Sequence, residues 1–188
     1  PQTQLVHMTQ ITRDDIQLVQ DHNCHVVHCP ESNLKLASGF CPVGQLLDAG
    51  INVAIGTDGA ASNNDLDLFG ELKTAAMLAK AVSGDPTTLD AHAALRMATI
   101  NGARALGWDH EIGSLEAGKS ADIIAVKMDS IPQQPLHNPE SQLVYTNMGH
   151  RVSHSWVAGK PLLQDSELLT LNQQSLIQSA GDWRNKIS

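Results

Sequence analysis

Through residue 106 the chain alternates short apolar runs with longer stretches in which apolar residues recur at helical spacing. This is the pattern of βα units feeding a parallel sheet. Gln4–His7 reads as the end of a strand, and Thr12 as the N-cap of a helix through Asp21 with Ile16, Leu18 and Val19 as its apolar stripe. Cys24–Cys29 (CHVVHC) reads as a second strand, stopped by Pro30, and ESNLKLASGFC as the loop after it. Pro42 suits the first turn of a short helix that Gly50 ends, and Ile51–Thr57 (INVAIGT) reads as a third strand followed by the loop DGAASNN. A long helix is expected from about Leu66 to Val82, broken off at Gly84-Asp85-Pro86. The Ala-rich stretch Leu89–Leu106 is expected to be helical, with a break near Thr99–Asn101.

The pattern changes after Trp108. Gly113–Asp122 is turn-rich and leads into Ile123–Val126, a buried-strand run. Leu143–Tyr145 and Val152–Val157 read as further strands, with a turn at Gly159-Lys160, and Asn172 caps a last amphipathic helix bearing Leu176, Ile177, Ala180 and Trp183. The expected division is therefore an α/β portion at 1–110, a small β region at 111–171 and a C-terminal helix at 172–188. There is no repeat of fixed period.

Composition narrows the function classes. Twenty acidic against 12 basic residues give a formal charge of −8, which argues against binding nucleic acid through phosphate contacts. Three cysteines without a C-x-x-C pair suggest a reduced, cytoplasmic setting rather than a disulfide framework. No apolar run approaches the length of a membrane span, so no membrane partner is expected. Pro1-Gln2-Thr3-Gln4 runs straight into Leu5-Val6 and reads as a start within a longer protein.

Strand parity singles out Asp58. If it points inward from its strand, Gly56, Ala54 and Asn52 share its face while Val53, Ile55 and Thr57 face an outer helix layer, as in a barrel strand. In (β/α)8 barrels the chemistry lies at the C-terminal strand ends. Two readings follow: a carboxylate placed for metal or proton work, or an Asp that caps the turn before Gly59. His7 and His28 lie near the corresponding tips of the first two strands, and three polar tips at one end favour a shared site. His25 and His28 fall on opposite faces of their strand and are not expected to bind one metal. Ser62 has no G-x-S-x-G elbow around it, and the cysteines show no nucleophile signature.

VHMTQ, HCPESNLKLASGF and GTDGAASNNDLDLFGELKTAAMLAK, in this order and spacing, closely resemble the methylthioadenosine/S-adenosylhomocysteine deaminases of the amidohydrolase superfamily. GSLEAGKSAD (113–122) resembles the segment by which many amidohydrolases enter their small β-sandwich. The resemblance implies an α/β fold: the C-terminal part, strands six to eight and helices, of a (β/α)8 TIM barrel, with part of a β-sandwich at 111–171. It also implies residue roles. Asp58 matches the metal-binding Asp at the end of strand eight, His7 the His at the end of strand six, and Glu31–Lys35 the substrate-facing loop after strand seven. The catalytic residues implied are Asp58 and His7; substrate-binding residues are Asp58, Ser32 and Asn33; the metal ligand is Asp58. The family's H-x-H pair, its strand-five His and the acid/base Glu have no match here.

The implied activity is hydrolytic deamination of an adenosine-type nucleoside, methylthioadenosine or S-adenosylhomocysteine, with one Zn²⁺. The implied partners are that small-molecule substrate, the N-terminal half of the same protein and a further copy in a homo-oligomer. The alternatives are a triazine-type chlorohydrolase, a guanine or other heterocycle deaminase, or an inactive fragment. A catalytic zinc normally takes three protein ligands plus water, and one Asp with one His falls short of that. The 188-residue chain alone is therefore expected to release no ammonia from methylthioadenosine or S-adenosylhomocysteine with Zn²⁺ supplied. Turnover by a preparation free of any other segment of the enzyme would require a metal site that these motifs do not contain.

Overall fold

The structure is a computed structural model that describes residues 3–187. Its first sheet holds three parallel strands in the order β1 (Gln4–Val6), β2 (His25–His28) and β3 (Val53–Ile55). Helix α1 (Arg13–Asp21) connects β1 to β2, and α2 (Pro30–Lys35) with α3 (Val43–Asp48) connects β2 to β3. The expected adjacent, parallel strands are thus present, each pair joined by the crossover that parallel pairing demands. Thr12 caps α1 with a full capping box: its hydroxyl accepts from the Asp15 N–H, and the Asp15 carboxylate accepts from the Thr12 N–H at 2.9 Å.

The register gives the sheet two different faces. Leu5 pairs with Val26, Val26 with Val53 and His28 with Ile55, so these residues share one face. Leu5, Val26, Val53 and Ile55 from that face join the core with Leu46, Leu72 and Met97 of the helices. Burial of each large aliphatic side chain here is worth about 1.5–3 kcal/mol. The other face carries Val6, Val27 and Ala54 at one level, and Gly56 beyond them, where a Cβ would sit 3.2 Å from Val27 Cγ1. Small residues on one face and β-branched residues under helices match the parity expected for the third strand.

Three further helices follow: α4 (Leu68–Ser83), α5 (Ala91–Met97) and α6 (Ile100–Leu106), the last two separated at the expected break. The buried stripe of α4 is Leu72, Ala75, Ala76 and Ala79, with Glu71 beside it. Short side chains let neighbouring backbones approach closely. Lys80 Nζ then reaches the carbonyls of Thr88 and Leu89 at 2.8 and 2.7 Å, satisfying the chain where it leaves the helix. Helix α6 lies against the N-terminal ends of the strands. Gln4 Nε2 donates to Ala105 O at 2.9 Å, Asn52 Nδ2 to Asn101 O at 3.0 Å, and Asn101 Nδ2 to Val53 O at 3.0 Å.

Two expected elements differ. The stretch after Pro30, expected to be a loop, begins with α2, and the Leu143–Tyr145 strand is instead the end of a helix, α7 (Pro139–Tyr145). Helix α2 has no apolar stripe because the side chains it buries include the polar Ser32 and Asn33. In α7 the Asn138 cap, whose Oδ1 accepts from Ser141 N–H at 2.9 Å, and Pro139 in the first turn prevail over the strand preference of Leu-Val-Tyr. Val144 is fully buried, and α7 packs on α4 and α5.

Residues 3–119 and 128–150 form one compact unit, and 120–127 with 151–187 form another. The second unit is an antiparallel sheet in the order β4 (Ile123–Val126), β5 (Val152–Val157), β6 (Lys160–Gln164) and β7 (Glu167–Leu168), followed by α8 (Gln173–Ile187). The Asp122 carboxylate accepts from Ala158 N–H at 2.6 Å and braces the β5–β6 turn, and Asn172 caps α8 through Ser175 N–H at 2.9 Å. No helix among the described residues is long and apolar enough to cross a membrane.

In the first unit Gly113 sits at φ +89°, where a Cβ would lie 2.7 Å from Ala103 Cβ and 3.0 Å from Ile100 Cα. Left-handed backbone and overpacking add here, so Gly113→Ala is expected to destabilise the protein by about 2 kcal/mol or more. A lowered urea midpoint with an unchanged slope would show it, and an unchanged midpoint would refute it.

Candidate active site

Three chain segments meet beyond the C-terminal ends of β1, β2 and β3. His7 directly follows β1; its N–H donates to Val27 O at 3.0 Å, which extends the pairing one residue past the strand. His7 and Met8 then take left-handed backbone, φ +69° and +47°, and so does Asp58, φ +61°, three residues beyond β3. Such residues break strict strand alternation and re-aim the side chains. The result is that His7 Nε2 lies 3.8 Å from Asp58 Oδ2.

Helix α2 holds this pair with two consecutive side chains. Ser32 Oγ donates to Asp58 Oδ2 at 2.6 Å, and Asn33 Oδ1 lies 2.9 Å from His7 Nδ1. Ser32 and Asn33 are buried, and Asp58 and His7 supply partners for the Ser32 hydroxyl and the Asn33 Oδ1. With the Asn33 amide assigned this orientation, Nδ1 carries the proton and Nε2 is left as an acceptor facing the carboxylate. Two acceptors 3.8 Å apart call for a cation or a proton donor between or beside them. The Asn33 Nδ2 group is buried without a hydrogen-bond partner.

Hydrogen bonds from Ser32, from Ser62 and from the Gly59 N–H hold the Asp58 carboxyl down at about 2, so it is ionised at neutral pH. The loop after β3 is tied in turn to α2, because Lys35 Nζ donates to Ala61 O at 2.9 Å and to Asn64 Oδ1 at 2.7 Å.

Other expected positions lie elsewhere. His28 is on the helix-packed face of β2, 1% exposed, and burial pushes its imidazole down to about 4. It does not join the other two strand tips: the alternation that buries Val26 buries His28 as well. Glu31, in the stretch expected to face substrate, accepts a hydrogen bond from Thr74 Oγ1 at 2.8 Å and packs beside Gly70 of α4. Burial pushes the Cys29 thiol up to about 11, in keeping with the absence of a nucleophile signature.

One buried carboxylate was missed. Glu71, fully buried on α4, accepts from the Glu31 N–H at 3.1 Å and from Asn63 Nδ2. The legible signal was a Glu four residues before Ala75 and eight before Ala79, on the apolar stripe of its helix. Among the described residues no group of three or more His, Cys, Asp or Glu side chains is arranged to hold a metal ion.

Known proteins resemble the chain in both sequence and fold. The amidohydrolase family profile matches residues 2–162. The chain is 55% identical over 187 residues to the 5-methylthioadenosine/S-adenosylhomocysteine deaminase of Teredinibacter turnerae, covering 100% of this chain and 42% of that protein. It superposes with a TM-score of 0.96 on the zinc-bound crystal structure of an adenosine deaminase from Xanthomonas campestris, at 53% identity, covering 98% of this chain and 42% of that one. A zinc complex of an atrazine chlorohydrolase from Arthrobacter aurescens matches at 30% identity with a TM-score of 0.88, over 95% of this chain and 40% of that one. The chain thus spans 42% of the length of the first curated relatives it matches.

Because the Ser32 hydroxyl is the first cause of the low Asp58 titration, Ser32→Ala is expected to raise it from about 2 toward the ordinary Asp range. A carboxyl-carbon NMR titration reads this directly. Asp58 titrating unchanged in the variant would mean that the hydrogen bond does not stabilise the ionised form.

Proposed function

The chain belongs to the amidohydrolase family, and from that premise we propose that it carries strands six to eight of a (β/α)8 barrel in a zinc-dependent deaminase of adenosine-type nucleosides. The observation that supports this reading is the Asp58–His7 pair at the C-terminal strand ends, locked by Ser32 and Asn33. That is where barrel enzymes place their chemistry. In this reading β1, β2 and β3 are strands six, seven and eight, and β4–β7 belong to the small β-sandwich. The name of the Teredinibacter turnerae relative supports methylthioadenosine and S-adenosylhomocysteine as the substrates.

The residues fit one flank of a zinc site. Asp58 is an ionised carboxylate, and His7 presents an acceptor nitrogen toward it. The described residues include no set of three ligands, so we assign the remaining ones to the part of the enzyme outside this chain. When bound, zinc supplies a water whose pKa is lowered to about 7. Asp58 accepts the proton of the attacking water, and His7 Nε2 accepts a hydrogen bond from it and keeps it oriented toward the ring carbon bearing the amine. Asp58 then returns the proton to the amine nitrogen, and ammonia leaves as the carbon–nitrogen bond breaks. The free Nδ2 donor of buried Asn33 is left for the substrate.

In the full-length enzyme, Asp58→Asn is expected to lower kcat/KM for ammonia release from methylthioadenosine by about a hundredfold or more, with the circular dichroism unchanged. Deamination by that variant at the wild-type rate would remove Asp58 from the chemistry. Release of chloride from a chlorotriazine, with no ammonia from either nucleoside, would replace the deaminase reading with the chlorohydrolase one.

A further inference from the structure

We propose that Glu71 is a positioning residue for this active site, a clamp whose two carboxylate oxygens fix the segments that hold Asp58 and His7. The proposal rests on the deaminase reading for its kinetic readout and on geometry for its content. One oxygen accepts the Glu31 N–H at 3.1 Å at the start of α2; the other accepts the Asn63 amide in the loop after β3. The residues following Glu31 are Ser32 and Asn33, which bond Asp58 and His7. Asn63 in turn accepts the Asp65 and Leu66 N–H groups through Oδ1, both at 3.3 Å, and so shapes the segment that begins at Asp58. One buried side chain on α4 therefore sets the spacing between the two halves of the site.

An ionised carboxylate meets both demands directly, because it offers two acceptor oxygens and no donor. A protonated Glu71 with its hydroxyl turned on the Asn63 amide would require that amide to flip, giving up its two backbone contacts. A residue chosen for stability alone would not be charged here. Glu71 is fully buried and has Glu31, Asp65 and the Cys29 thiol as its titratable neighbours, none of them cationic. Burial first, then the Glu31 and Asp65 charges, raise its carboxyl to about 7, against the hydrogen bonds that lower it. The native state holds this proton up to about pH 7 and the unfolded state gives it up near the ordinary Glu value, so the associated stability is lost as pH rises through about 7. The clamp works in the form that folding disfavours, as expected where a site's geometry has outweighed stability.

The test uses the full-length enzyme with E71Q and the double variant E71Q/N63D. The side-chain amide of E71Q keeps an acceptor for the Glu31 N–H but turns a donor on the Asn63 amide. The carboxylate that N63D introduces restores an acceptor there and can still receive the Asp65 and Leu66 N–H groups. E71Q is expected to lower kcat on methylthioadenosine about tenfold with KM within threefold. Its melting temperature at pH 8 should stay within a few degrees of wild type, because the loss of a buried charge offsets the unpaired Asn63 amide. Backbone hydrogen exchange should quicken at 31–36 and 59–66 only. The double variant should return kcat to within threefold of wild type. Wild-type kcat and exchange in E71Q, or a double variant no better than E71Q, would overturn the clamp. If the wild-type enzyme fails to deaminate, the function reading falls, and the exchange measurement alone decides the clamp: quickening at 31–36 and 59–66 in E71Q upholds it, and unchanged exchange overturns it.

Discussion

Two buried polar side chains on a helix of six residues carry the arrangement at the strand ends. Ser32 and Asn33 have lost their water, and the hydrogen bonds that replace it run to Asp58 and His7. An unmade bond at such a position costs about 1–3 kcal/mol. Helix α2, the turn after β1 and the loop after β3 therefore satisfy one another. The left-handed residues at His7, Met8 and Asp58 persist under the same constraint, because the surrounding contacts over-determine them.

The environment separates two carboxylates of one chemical kind. Asp58 sits in the open among donors and is ionised far below neutrality, whereas Glu71 is sealed among apolar groups and other acids and titrates near it. The first is suited to holding a cation. The second sits under α2 and the β3 loop and touches neither Asp58 nor His7 through any hydrogen bond of its own.

The sheet makes this possible by having unlike faces. Leu5, Val26, Val53 and Ile55 bind the helices to the strands, while Ala54 and Gly56 keep the other face low. Asn52 and Asn101 tie α6 beneath the strand starts, so the polar rung opposite the site has partners too.

How much of this was legible divides along physical lines. The order and direction of the first three strands, the capped start of α1, the break between α5 and α6, the strands β4 and β5 and the shared sheet end of Asp58 and His7 all followed from periodicity, caps and motif. These are local signals, written in neighbouring residues. Helices α2 and α7, the burial of His28 and the partners of Glu71 were not legible. Each depends on what another segment presents at that point: Asp58 and His7 for Ser32 and Asn33, α4 and α5 for Val144, the helix layer for His28, and Glu31 with Asn63 for Glu71. Sequence alone determined which polar residues stand at the strand tips. Only the tertiary structure decided which of them meet, because a side chain's hydrogen-bond partners and dielectric surroundings come from segments distant in the chain.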